Sequence, residues 1–306
     1  MSVPTSESAI PPTVLTKAPL MLLRAVVGDL RDQADAAHAA RLSGQPRGPV
    51  SGLKPLDREL GGAFEPGLHI VHGNAGAGKT AFALQVASSC AFPALFVSCE
   101  MSPVEILRRH TARVTETFLN RLRSGEMDGL AVEKLALKAV TSTPLLALMD
   151  ATRDAAPLQH LFDCAQIVRG EHAQLLVVVD SLHSWAQSLS AGLPEYESLN
   201  AGLSDLSHLA RKLECPVLIV SERNRDSMKS GGINAGAGTR RIEYGAETVI
   251  DLDREAAAQE TGAGETPVTL KLGKNRHGPA DKKIPLFFHG ALQRFRAVER
   301  PHEAKS

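Results

Sequence analysis

Eight residues, Gly73-Asn74-Ala75-Gly76-Ala77-Gly78-Lys79-Thr80, set glycines, a lysine and a threonine one residue, His72, after the apolar run LHIV. They fit G-x-x-x-x-G-K-[ST] at every defined position. Glycine at this spacing lets backbone N–H groups approach phosphate oxygens closely, and it tolerates the φ values such a loop needs. Lys79 then reaches the β- and γ-phosphates and the Thr80 hydroxyl ligates Mg²⁺. A helix running on through Ala81 turns its positive end on the phosphates. The pattern predicts a bound nucleoside triphosphate, ATP, with Mg²⁺. Three further polar groups close apolar runs. QLLVVVD ends in Asp180, suited to polarise the Mg²⁺ shell. ALFVSCEMS carries Glu100, either the general base for an attacking water or an acid ahead of the helix PVEILRRH. PVLIVSERNR ends in Ser221, Glu222, Arg223, Asn224 and Arg225, a cluster placed to sense a γ-phosphate, to touch DNA, or to lie solvated in a loop.

Such groups meet only if strand ends bring them together, as an open parallel sheet does. LHIV, ALFVSC, LLALM, LLVVVD, PVLIVS and TVIDLD are short, nearly continuous apolar runs, the pattern of strands covered on both faces. Helical stretches alternate with them; in 197–213, Leu199, Leu203, Leu206, Leu209 and Leu213 mark one buried face. The alternation predicts an α/β fold with a mostly parallel sheet flanked by helices. After Asp253, PVTLKLG, KNRHGPADKK and IPLFFHG read as strand, turn, strand, so the sheet is expected to end in antiparallel strands. Ahead of the core, residues 1–16 are rich in Ser, Pro and Thr and are expected to be disordered. A helix is expected from about residue 17 to 42, with Leu20, Leu23, Val27, Leu30, Ala34 and Ala37 on one stripe. SGQPRGPVSG follows as a Gly/Pro linker, and residues 296–306 form a tail expected to fray. The expected organisation is therefore 1–16, 17–50, 51–295 and 296–306.

The chain has 306 residues, 34 Lys plus Arg against 34 Asp plus Glu, and four scattered cysteines without a C-x-x-C pair. A balanced charge excludes a global field for nucleic acid or membrane, so any basic footprint is local. The cysteine pattern argues against a zinc site or a disulfide framework. The first residues lack a secretory-leader pattern, and no apolar run reaches the roughly 18 residues of a membrane span. A cytoplasmic protein with no membrane partner is the expectation.

From Ser51 to Phe295 the chain resembles the RecA-type motor domain of DnaB-type replicative helicases. SGLKPLDRELGGAFEPGLHIV, GNAGAGKTAFALQVA, VSCEMS, PLLALMDATRD, VVVDSLHSW, LSHLARKLECPVLIVSERNR, GTRRIEYGAETVIDLDR and LGKNRHGPADKKIPLFF follow in the family's order. The resemblance implies a RecA-like P-loop fold, with Glu100 as catalytic glutamate and Asp180 as the Walker B aspartate. It implies that Lys274 and Arg276, in KNR, reach the γ-phosphate of a neighbouring subunit. A K-x-R on a strand points both side chains the same way, which agrees with that role; a charged hairpin tip is the plainer reading. A guanidinium supplied in trans implies a homo-oligomer, a ring, as in a hexamer, or a filament.

The chain also departs from the family. Glu222 stands where the family carries glutamine, and as a carboxylate it repels a γ-phosphate unless protonated or paired. The stretch DSMKSGGINAGAGTRR is Gly-rich, and Arg240 and Arg241 are displaced from the family's DNA-contacting pattern. A single short helix is expected where the family carries a globular N-terminal domain. The function expected is an ATP-driven motor that binds single-stranded DNA through Arg223, Arg225, Lys229, Arg240 and Arg241 and translocates or unwinds. A regulatory or recombination-mediator ATPase, or a nucleotide-binding scaffold slowed by Glu222, are the alternatives.

Overall fold

The computed structural model describes residues 21–190, 192–222, 245–254 and 264–298. Contacts divide the chain into residues 1–45 and 46–306. In the first unit a 3-10 turn, Leu23–Val26, leads into helix α1 (Val27–Ser43), which ends on Gly44 in the left-handed region. No residue of α1 is buried, and Leu23, Val27, Leu30 and Leu42 are all exposed. The expected helix thus starts later than the sequence spacing suggested. Leu20 lies outside the described residues, as do the stretch 1–16 and the last eight residues.

The second unit is built on one sheet. Strands β1 (Gly67–Gly73), β2 (Ala94–Ser98), β3 (Leu146–Asp150), β4 (Leu176–Asp180), β5 (Pro216–Glu222) and β6 (Thr248–Asp253) are parallel. Strands β7 (Glu265–Asn275), β8 (Lys282–His289) and β9 (Arg294–Ala297) add antiparallel pairs. The order across the sheet is β3-β2-β4-β5-β1-β6-β7-β8-β9. Around it lie α2 (Lys54–Glu59), α3 (Lys79–Ser89), α4 (Pro103–Thr115), α5 (Gly129–Ser142), α6 (Leu158–Arg169), α7 (Leu182–Leu189) and α8 (Glu195–Leu213).

Strand periodicity divides the core in two. Val71, Val178, Leu218 and Val220 pack with Phe82, Phe96 and Phe288 on the α3 side. Ile70, Val177, Val179, Val217 and Ile219 pack with Leu182, Trp185, Leu206 and Leu209 on the α7 and α8 side. Successive residues of a strand face opposite sides, so runs such as VVV must be apolar throughout. LLALM departs from that expectation. As β3 it is an edge strand, and Leu148 is exposed there.

Candidate functional site

The parallel strands run in one direction, so their C-terminal ends line up. Register sets Ser98 beside Asp180, Asp180 beside Val220, and Glu222 beside Gly73. Asp180 and Glu222 share strand parity with Val178 and Val220, the residues that face α3. Both carboxylates therefore emerge on the side where Lys79 opens α3.

A cavity of about 340 Å³ occupies this edge, lined by Gly76, Gly78, Lys79, Thr80, Ala81 and Ala75 of the loop and helix start. Glu100, Asp180, Ser181, Glu222, Arg109, Phe288 and Gln293 close it from other elements. Gly76 and Gly78 hold φ of +76° and +90°, and a Cβ on Gly78 would sit 2.9 Å from Phe295 Cζ. Only glycine fits there. Lys79 is buried and its Nζ donates to the carbonyls of Gly73 and Asn74 at 3.0 and 3.2 Å. Glu222 Oε1 lies 3.8 Å from the same Nζ, on a side chain that is 64% exposed. The sequence left Glu222 dependent on protonation or pairing, and its partner is Lys79.

Asp180 is 4% exposed. Burial pushes its carboxyl up to about 6, against a hydrogen bond from Thr80 that favours the charged form. Glu100 adds to the rise, while Lys79 and Arg109 oppose it. Glu100 is exposed, and its Oε1 accepts from Ser181 Oγ and from Ser184 Oγ, the latter at 2.9 Å. The neighbouring Cys99 thiol is pushed up to about 12 by burial, then by Asp180 and Glu100, and stays protonated and unreactive.

Sequence reasoning missed the far wall. Arg109, on α4, donates from Nε to Glu105 at 3.0 Å and from Nη1 to Gln293 at 2.6 Å. Gln293 and Phe288 come from the antiparallel end of the sheet, far along the chain. Ser181 and Ser184 were legible in principle, since both closely follow the apolar run ending in Asp180.

Lys79, Thr80, Glu100, Asp180 and Glu222 thus converge, and Gly73 and Asn74 bound the loop through their carbonyl contacts with Lys79. Ala77 is buried behind the loop. The set fits a polyphosphate: an ammonium lies across a glycine loop, and a hydroxyl lies against a buried carboxylate. The Thr80 and Asp180 oxygens are hard donors of the kind Mg²⁺ takes.

Lys274 and Arg276 are elsewhere. β7 ends at Asn275, so Lys274 is on the strand and Arg276 is in the turn after it. Strand alternation therefore does not orient both side chains, contrary to the K-x-R expectation. The Arg276 backbone N–H donates to Glu247 O at 2.9 Å, and the Glu247 N–H donates to Leu68 O at 2.7 Å. Arg276 thus sits by the start of β1, whereas the phosphate loop follows its end at Gly73. Five residue steps separate Leu68 from Gly73, about 17 Å at about 3.3 Å per step. Arg223, Arg225, Lys229, Arg240 and Arg241 lie outside the described residues.

Among the described residues, no helix is long and apolar enough to cross a membrane, and no group of three or more His, Cys, Asp or Glu could hold a metal.

Comparison with known proteins follows the same outline. The fold matches a solved ATPase domain with a TM-score of 0.75 at 17% identity, over 90% of this chain and 99% of that one. It matches a DnaB-like replicative helicase, solved in a study of its interactions with primase, with a TM-score of 0.73 at 16% identity over 92% and 68%. In sequence it is 27% identical over 262 residues to the replicative DNA helicase DnaB of Treponema pallidum, covering 81% of this chain and 56% of that protein. To the DnaB of Pasteurella multocida it is 25% identical over 263 residues, covering 81% and 55%. The chain thus spans about half the length of the curated relatives it matches. Residues 48–297 match the DnaB-like helicase C terminal domain, and the chain belongs to that family.

Proposed function

We propose that this chain is an ATP-hydrolysing motor of an oligomeric ring or filament, acting on single-stranded DNA in the cytoplasm by translocating or unwinding, with residues 51–295 as the motor. The observation that carries the reading is the meeting of Lys79, Thr80, Asp180 and Glu100 at one sheet edge, from strand ends and a helix start.

Each side chain has a task there. Lys79 puts positive charge on the β- and γ-phosphates in place of the two carbonyls it now holds. Thr80 and Asp180 would hold Mg²⁺, which when bound supplies charge neutralisation at the phosphate oxygens. Glu100 accepts the proton of the attacking water; the hydroxyls of Ser181 and Ser184 fix it through Oε1, and Oε2 can take up that proton. Arg109, Phe288 and Gln293 form the wall against which the nucleoside end packs.

Arg276 acts on a neighbour's γ-phosphate. Its backbone is tied to the start of β1, about 17 Å of strand away from its own loop, which supports a role at another subunit's site. Lys274 shares that interface. Arg223, Arg225, Lys229, Arg240 and Arg241 would grip DNA phosphates through sequence-independent charge.

Turnover measured with and without single-stranded DNA, beside assembly mass with Mg²⁺ and nucleotide, tests this. DNA-stimulated hydrolysis by an oligomer, lost in Lys79→Ala, is expected. Full hydrolysis by Lys79→Ala would sink the phosphate-loop reading. The Lys79–Glu222 contact favours a second reading, in which nucleotide switches assembly and no strand is displaced. A strand-displacement assay separates the two.

A further inference from the structure

Glu247 is a mostly covered carboxylate, 16% exposed, just before β6. Its Oε1 lies 3.5 Å from Arg276 Nη1, and its Oε2 lies 3.0 Å from His277 Nε2. Its carbonyl accepts from the Arg276 backbone N–H at 2.9 Å. One residue therefore grips both the backbone and the side chain of Arg276, and the next side chain as well. Its own position is fixed from behind. The Glu247 N–H donates to Leu68 O, and a Cβ on Gly67 would lie 2.5 Å from Glu247 Cγ. The side chain thus lies flat on bare backbone at the start of β1, a rigid element of the core sheet. Arg276 opens the turn that follows β7, and its side chain is 53% exposed.

We propose that Glu247 is the positioning residue for Arg276, setting the guanidinium at the angle in which a subunit presents it to its neighbour's nucleotide. This rests on the trans role proposed for Arg276. The contact is made at Nη1, one of the two terminal nitrogens of the guanidinium fork. It orients the group while leaving it positively charged. Small misplacements of a reacting group cost about a hundredfold, so the angle at which the guanidinium is held bears directly on turnover.

The test uses Glu247→Gln and Glu247→Asp in the full chain, with DNA-stimulated turnover, KM for ATP and assembly mass. Glu247→Gln is expected to lower kcat roughly ten- to a hundredfold while KM changes by less than about twofold, because each subunit's own cavity is intact. Glu247→Asp, which keeps the charge, recovers part of the loss. Mixed with Glu100→Gln subunits, Glu247→Gln regains activity; mixed with Arg276→Ala it does not, since both defects lie on the same side of the interface. The double variant Glu247→Gln/Arg276→Ala is no slower than Arg276→Ala alone, whereas a merely structural role would add a further loss. Unchanged kcat, a kcat loss matched by a KM rise, or recovery on mixing with Arg276→Ala overturns the proposal. If Arg276→Ala and Glu100→Gln co-assemble without recovery, the trans reading itself fails, and this inference fails with it.

Discussion

Replacing Asp180 by asparagine sets function against stability at a single buried group. The native carboxyl, raised mainly by burial, titrates at about 6 against an ordinary 3.8. At about 1.4 kcal/mol per tenfold change in proton affinity, that gap is worth about 3 kcal/mol. The sign follows from proton counts. Between pH 4 and 6 the unfolded chain has released this proton while the folded chain keeps it, so stability falls as pH rises. Above pH 6 the full cost of holding an ionised carboxylate in the core is present; below pH 4 it has gone. Asparagine has the same shape, still offers an oxygen to Thr80, and carries no charge to desolvate. Without Mg²⁺ or nucleotide at pH 8, Asp180→Asn is expected to be more stable than the native chain by about 3 kcal/mol, or about 6–10 °C in melting temperature. The difference should shrink through pH 6 and nearly vanish at pH 4. Hydrolysis should be lost at every pH, because the amide is a poor ligand for a divalent cation. Denaturant titrations of both proteins across this range read the difference directly. A variant less stable at pH 8, or a difference independent of pH, would refute the claim that burial of charge dominates at Asp180.

Glu100→Gln should bind nucleotide normally and lose at least about a hundredfold in turnover, because an amide keeps the serine contacts but takes no proton; normal turnover by single-turnover assay moves the base elsewhere, with Glu222 the next candidate. Glu222→Gln should raise affinity for a non-hydrolysable triphosphate about fivefold relative to the diphosphate, since an exposed like charge near 4 Å is worth about 1 kcal/mol. An unchanged ratio by calorimetry would mean that Glu222 does not face the γ-phosphate. Deleting residues 1–45 removes exposed Leu23, Val27, Leu30 and Leu42. If those side chains dock on a second copy, the deletion turns oligomers into monomers by mass photometry without lowering the melting temperature of the core. An unchanged assembly mass refutes trans docking.

What could be read from the sequence is local. Gly73 to Thr80 announces itself because the loop needs glycines that no core would choose, and Asp180 because it ends a run too apolar to lie anywhere but inside. The wall of Arg109, Phe288 and Gln293 was not legible. Arg109 comes from α4 and Gln293 stands 184 positions downstream, and no spacing rule connects them. β9 escaped for a related reason: RFRA is short and alternates charge with apolar residues, and its place is set by pairing with β8. The K-x-R pair failed more instructively. Alternation orients side chains only while the strand lasts, and β7 stops at Asn275, just before Arg276.

That stop has a consequence for how the molecule can work. The parallel strands of the sheet have two different ends, and charged groups gather at both. Asp180, Glu222 and the phosphate loop crowd the C-terminal ends of the strands, while Glu247 and Arg276 meet at the N-terminal start of β1. The strands between are packed on both faces and cannot bend one end toward the other. If both ends serve one reaction, as proposed, no single subunit can close its own site. Each completed site then needs one subunit's strand ends and another's strand starts. Such a contact joins unlike surfaces, and repeated it yields a ring or a filament rather than a two-fold dimer. The direction of the strands thereby becomes the direction of the assembly. A polar assembly of this kind is what a motor moving one way along a strand requires.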